Sequence, residues 1–250
     1  MDAEIEERYE NLKRLYEELD KCMDCPFGKL SINKPKLHEP PEVISRDNKI
    51  EIMFVGINPS NKRNINYIKT KFRPWSIFSE AEIKASGKTE KELGMKLFPD
   101  LGGYCTYNDA PLFYAFKLLG IDRENVFITN LVKCAKKDNN SNIDLSVVEH
   151  CKSFLEREIE LVKPKLVIFM TQNKRYDKAL DELSNKYKDN KYKDVHMGRV
   201  YHPGYYRRKG ILKSHPEIRK DYASEIYKIY EEAKKDGIEF NIRLTDPTKS

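Results

Sequence analysis

Three short runs of almost unbroken apolar residues decide what this 250-residue chain can fold into. They are residues 50–55, 125–132 (NVFITNLV) and 165–171 (KLVIFMT), with a weaker fourth at 195–201. Each is too short for a typical helix and too uninterrupted for a strand with one wet face, so each reads as a strand buried on both sides. Helical patterns lie between them. Residues 110–119 suit a helix ended by Gly120, and residues 146–162 place Val147, Val148, Cys151, Phe154, Leu155, Ile159 and Val162 at helical spacing before Pro164 stops them. Strands alternating with helices predict an α/β fold, a three-layer α/β/α sandwich around a central, mostly parallel four-stranded sheet, with residues 1–250 forming one domain.

The flanks add two amphipathic helices. Residues 2–20 carry Tyr9, Leu12, Leu15, Tyr16 and Leu19 on one face, and residues 216–235 carry Ile218, Tyr222, Ile226, Tyr227 and Tyr230. Residues 62–102 are basic, aromatic and irregular, and read as a long insertion beside the site; residues 138–142 read as an exposed polar loop. A hydrophobic fraction of 39% supplies a packed interior despite 34% charged residues, which excludes global disorder. No apolar run approaches the roughly 18 residues of a membrane span, and the acidic N-terminal segment lacks a signal-peptide core. A soluble, intracellular (cytoplasmic) monomer without a membrane partner is expected. The net charge of +6 admits a polyanionic partner, although a lysine-rich solvated surface gives the same sum.

Open parallel sheets bind ligands at the carboxyl ends of their strands. That rule gathers Asn58, Asn130 and His202 at one edge, because each sits at or near the end of its own strand. The first strand runs into Gly56-Ile57-Asn58-Pro59-Ser60, which a helix-initiating turn with Asn58 or Ser60 bonded to local backbone also explains. Asn130 has a matching local reading as a strand-end cap.

Five cysteines need their own account. Cys22 and Cys25 form a C-x-x-C pair, Cys134 ends the second strand region, Cys151 follows it after 16 intervening residues, and Cys105 stands apart. An intracellular setting disfavours disulfides. Two readings remain: small core residues with an incidental or redox-active C-x-x-C pair, or a four-thiolate site for zinc or an iron–sulfur cluster.

The blocks LLGIDRENVFITNLVKC (118–134), HCKSFLEREIELVKPKLVIF (150–169) and VYHPGYYRR (200–208) resemble the uracil-DNA glycosylase superfamily. The nearest resemblance is to its iron–sulfur-containing family 4 branch, over residues 22–208 and with a poor fit across the insertion. Cys22, Cys25, Cys134 and Cys151 fall on that branch's four ligand positions, which implies a [4Fe–4S] cluster, with zinc the lesser alternative. Cys105 has no counterpart. The first motif departs from the branch. Family 4 has Gly-Glu-Ala-Pro-Gly there, whereas Gly56-Ile57-Asn58-Pro59-Ser60 is similar to the Gly-Ile-Asn-Pro-Gly of mismatch-specific uracil and thymine glycosylases, so family 4 water activation and substrate range do not transfer directly.

What the resemblance implies is a monofunctional DNA glycosylase acting on uracil in single-stranded or mispaired DNA. Breaking the glycosidic bond builds positive charge on the sugar and negative charge on the departing base, so well-placed dipoles carry the catalysis. Asn58 would hold the attacking water and His202 would stabilise the uracil anion, as neutral donor or as cation. Asn130 would read the uracil edge, and Gly56 and Ile57 would line the base pocket. Tyr104 aligns with the family's stacking phenylalanine, with Phe72 and Trp75 as rivals. Ser60, Arg207 and Arg208 would contact DNA, the arginines from a basic, aromatic loop after His202. Other deaminated or mismatched bases, or a binding protein of the same fold without turnover, are the alternatives.

Overall fold

Strand β1 (Ile52–Gly56) is buried along its whole length. Ile52 and Phe54 enter one core while Met53 and Val55 enter another, because successive side chains of a strand point to opposite faces of the sheet. The computed structural model describes residues 3–22, 50–57, 77–87, 89–106, 109–133, 143–188, 194–208 and 216–249. Within them, β1 pairs in parallel with β4 (Val126–Asn130) and β5 (Leu166–Met170), and β5 pairs in parallel with β6 (His196–Val200). The sheet order is therefore β4-β1-β5-β6.

Helices cover both faces. The Ile52 and Phe54 side is packed by α4 (Ala110–Leu119) and α8 (Pro216–Lys235) through Leu112, Phe116, Tyr222 and Ile226. The Met53 and Val55 side is packed by α1 (Ala3–Lys21), α5 (Leu145–Val162) and α6 (Asp177–Lys188) through Leu12, Leu15, Leu155, Ile159, Leu180 and Leu183. The three-layer sandwich expected from the alternating pattern is thus observed, with each of the four strands within two residues of its expected limits. No helix among the described residues is long and apolar enough to cross a membrane.

Two segments differ from expectation. The described part of 62–102, from residue 77 onward, is ordered into α2 (Glu80–Ala85), α3 (Glu90–Leu93) and a hairpin of β2 (Met95–Phe98) with β3 (Gly103–Thr106). Ser79 and Thr89 each accept from the backbone three residues on, while Glu82 and Glu92 reach back to the cap amides. These reciprocal bonds satisfy amides that a helix start leaves unpaired. The second difference is α7 (Pro203–Arg208), a short helix where a loop was expected. Proline at its first position costs no intrahelical bond.

The α1 layer is joined to the sheet by a buried polar network. Lys133 and Glu158 are only 2% and 0% exposed and lie 2.5 Å apart, and Thr129 donates to Glu158 at 3.0 Å while accepting from Lys133 at 2.9 Å. Tyr16 of α1 bonds the same carboxylate. Burial, reinforced by Glu158, holds the Tyr16 phenol well above its ordinary range, and burial pulls the Lys133 ammonium down against the attraction of Glu158. Removing one member of such a pair leaves the other charge buried and unpaired. Glu158→Gln is therefore expected to destabilise the fold by about 3–5 kcal/mol in urea unfolding, with most of that recovered in Lys133→Met/Glu158→Leu. An equal loss in the double variant would contradict the charge-pairing explanation.

Candidate active site

The carboxyl edge of the sheet is where the strands release the residues singled out from sequence. Gly56 and Asn130 are direct partners in the β1–β4 register. Pairing continues past the strands, since Leu131 N–H donates to the Gly56 carbonyl and Val132 N–H to the Ile57 carbonyl, both at 2.8 Å. Asn130 is consequently fixed by bonds on either side of it. A Cβ at position 56 would sit 2.6 Å from Asn130 Oδ1, closer than real Cβ contacts allow. The missing side chain at Gly56 is what lets the carboxamide lie across the end of β1. Ile57 is half-buried and packs against the α1-side core.

His202 lies two residues beyond β6 and is exposed. Its Nδ1 accepts the Gly204 N–H at 3.0 Å, and its carbonyl accepts the Tyr205 N–H at 2.8 Å as α7 begins. With Nδ1 accepting, the proton of a neutral imidazole sits on Nε2, the ring nitrogen that is then able to donate. The sheet order sets β4 and β6 on either side of β1 and β5, and three inter-strand steps put their ends about 14 Å apart. Asn130 and His202 thus occupy opposite sides of one edge, with the end of β1 between them.

Helix α4 runs into β4, a strand parallel to β1, so it starts at this edge and packs against α7. Its first turn is preceded by Asp109, which is 1% exposed and makes no side-chain cap bond to the helix. Thr106, at the end of β3, has its hydroxyl oxygen buried without a hydrogen-bond partner among the described residues. Sequence reasoning missed this buried carboxylate. The signal was the Asp-Ala-Pro order before an apolar run, which reads as an ordinary helix cap.

Aromatic side chains separate into two groups. The Tyr104 ring packs with Phe78, Ile83, Leu93 and Met95, and its hydroxyl bonds Glu90, so it belongs to the hairpin's own small core and is not brought together with Asn130. Tyr201 and Tyr205 flank His202 and stack with centroids 4.3 Å apart at an interplanar angle of 16°. Tyr201 remains 37% exposed. Asn58, Ser60, Phe72 and Trp75 lie outside the described residues. Arg207 and Arg208 end α7, and their side chains also lie outside them.

Cys22 and Cys151 sit on the opposite side of the sheet from α4, whereas Cys105 packs in the α4-side core. Cys22 follows the end of α1, and its Sγ is 3.2 Å from His150 Nε2; His150 immediately precedes the buried Cys151 on α5. Lys133, which directly precedes Cys134, is buried against Glu158 of the same helix α5. Cys22 at the end of α1 and Cys151 on α5 thus lie at one junction, with Cys25 three residues after Cys22 and Cys134 directly after Lys133 in the sequence. A set of four soft sulfur donors at such a junction fits an iron–sulfur cluster or zinc. Cys25 and Cys134 lie outside the described residues, and among those residues no group of three or more Cys, His, Asp or Glu side chains is positioned to hold a metal ion.

A family model described as the uracil DNA glycosylase superfamily matches residues 44–224. A type-4 uracil-DNA glycosylase of Sulfurisphaera tokodaii is 23% identical over 236 residues, covering 89% of this chain and 84% of that protein. A type-4 uracil-DNA glycosylase of Pyrobaculum aerophilum is 31% identical over 175 residues, 61% of this chain and 83% of that protein. One from Saccharolobus solfataricus is 28% identical over 159 residues, 64% of this chain, and there the match spans about half (55%) of the relative's own length.

Proposed function

This chain belongs to the uracil-DNA glycosylase superfamily, and from that premise we propose that it hydrolyses the N-glycosidic bond of uracil in DNA, acting as a monomer on single-stranded or mispaired sites. The observation that carries the reading is the Asn130 carboxamide held across Gly56 at the edge where His202 presents Nε2–H. An amide fixed in this way offers one donor and one acceptor in a set order, which matches the uracil edge and mismatches cytosine. The base has to leave the stack to reach it, which costs a few kcal/mol and is least costly in mispairs and single strands.

His202 works as a neutral donor, its Nε2–H stabilising the oxygen on which charge gathers as the base departs. Asn58, two residues beyond Gly56, orients the water that attacks the anomeric carbon. Release of the base is hydrolytic, without a lyase step. None of the motif residues Gly56 to Ser60, Asn130 or His202 is a lysine able to form a Schiff base, and Lys133, three residues after Asn130, is buried against Glu158. Ser60, Arg207 and Arg208 meet the phosphates, and the stacked Tyr201–Tyr205 pair is a better-placed aromatic surface than Tyr104. Cys22, Cys25, Cys134 and Cys151 would hold a [4Fe–4S] cluster, which would supply a structural link among the segments that carry them. The Gly-Ile-Asn-Pro order at 56–59 supports one second reading, excision of thymine or another deaminated base from mispairs.

Oligonucleotides carrying uracil, mispaired thymine or hypoxanthine, treated with alkali after incubation to cleave abasic sites, separate these readings. Strand breaks with uracil alone are expected; breaks only with hypoxanthine or thymine shift the substrate, and binding without breaks excludes a glycosylase. Asn58→Ala is expected to lower single-turnover excision by about 100-fold or more with little change in DNA affinity, and unchanged excision would remove Asn58 from the chemistry. At position 56 the clash falls on the tip of a side chain, so the fold should tolerate Gly56→Ala while Asn130 is displaced. That variant should keep its unfolding midpoint and lose about 100-fold in excision rate; wild-type excision would show that the Asn130 pose is dispensable.

A further inference from the structure

One contact at the cysteine junction has no part in the reaction described above. The Cys22 sulfur lies 3.2 Å from His150 Nε2, within hydrogen-bonding reach of a ring N–H and well inside packing distance. The His150 ring is itself held in place. It meets Phe154, one turn further along α5, edge to face with centroids 5.7 Å apart and planes at 70°. The Arg157 guanidinium lies 6.0 Å from the same Phe154 ring and forks onto Glu18 of α1, with Nη1–Oε2 at 2.5 Å and Nη2–Oε1 at 2.9 Å. Glu18 is one turn before Cys22. A single file of side chains, His150, Phe154, Arg157 and Glu18, therefore runs along α5 and crosses to α1, and it returns to the cysteine it started from. The Arg157–Glu18 pair is exposed and adds little stability by itself, but its two-pronged geometry fixes the rotation of α1 against α5 and with it the position of Cys22.

We propose that His150 is a positioning residue of the thiolate site, donating its Nε2–H to the Cys22 sulfur so that this ligand is held toward the junction and shielded from oxidation. The inference rests on the iron–sulfur reading of the four cysteines. A metal-bound thiolate is electron-rich, and an N–H donor draws density from the sulfur, which both orients the ligand and makes it harder to oxidise. Neighbouring Cys151 on the same helix means that one turn of α5 supplies a ligand and a donor to a second ligand from a different element. A packing role alone would ask only for a flat ring against Phe154. A donor role asks for an N–H at the position of Nε2, and that difference separates the two.

The test uses the full chain, purified without air, as wild type, His150→Phe and His150→Gln. Phenylalanine keeps a ring against Phe154 and removes the donor; the glutamine amide restores an N–H near the Nε2 position. Iron and acid-labile sulfide are measured first, then the rate at which the visible sulfur-to-iron absorption bleaches in air, with far-UV circular dichroism as the check on folding. All three chains are expected to load iron and fold alike, with His150→Phe bleaching about 10-fold faster than wild type and His150→Gln close to wild type. Equal bleaching of His150→Phe and wild type overturns the donor role, as does His150→Gln bleaching as fast as His150→Phe. A folded His150→Phe chain that takes up no iron would make His150 a ligand instead and overturn it too. Wild type without iron or sulfide removes the cluster reading together with the inference, whereas an iron-loaded wild type that His150→Phe matches removes the inference alone.

Discussion

The parallel pairing of β1 with β4 on one side and β5 on the other is the constraint from which the rest follows. A strand in that position has no wet face, so its side chains are consumed by the two cores and its only chemistry is at its end. Gly56 is that end. Because β4 is in register with it, the residue that meets Gly56 is Asn130, and the absence of a Cβ converts a strand terminus into a seat for a carboxamide. The position of that carboxamide then derives from backbone pairing rather than from a loop.

The opposite side chain is held by a different device. His202 is outside the sheet, and its orientation comes from the turn that opens α7, where the Gly204 amide takes Nδ1 as its acceptor. The bond serves the helix start and sets the tautomer at once. Local folding and the orientation of the ring are thus the same interaction.

The junction of α1, β4 and α5 is tied by one buried carboxylate. The Glu158 carboxylate receives bonds from Tyr16 on α1, Thr129 on β4 and Lys133 just beyond β4, and each of these segments leads within a few residues to one of the four cysteines. A fully buried ion pair gives modest net stability, but its cost when broken is large, so it specifies one arrangement of the three elements.

Much of this was legible beforehand because it depends on period and punctuation. The runs at 50–55, 125–132 and 165–171 announce a sheet buried on both faces, and that alone puts Asn130 and the residues after Gly56 at one edge. Less could be read from 77–102, where the S-x-x-E and T-x-x-E capping boxes at Ser79 and Thr89 were obscured by the scarcity of apolar residues in helices as short as α2 and α3. Tyr104 aligned with a stacking position, yet its orientation is set by Phe78 and Met95, partners that no one-dimensional pattern supplies. Asp109 was hidden for the opposite reason, as a helix cap is the commonest use of its residue type. A direct trial of the central claim is a crystal structure with an oligonucleotide whose deoxyuridine is fluorinated at the sugar 2′ position, so that the bond survives. An everted uracil whose edge meets the Asn130 carboxamide, with its carbonyl oxygen facing His202 Nε2, is the expected result; a uracil still stacked in the strand, or seated away from the Gly56–Asn130 edge, would contradict it.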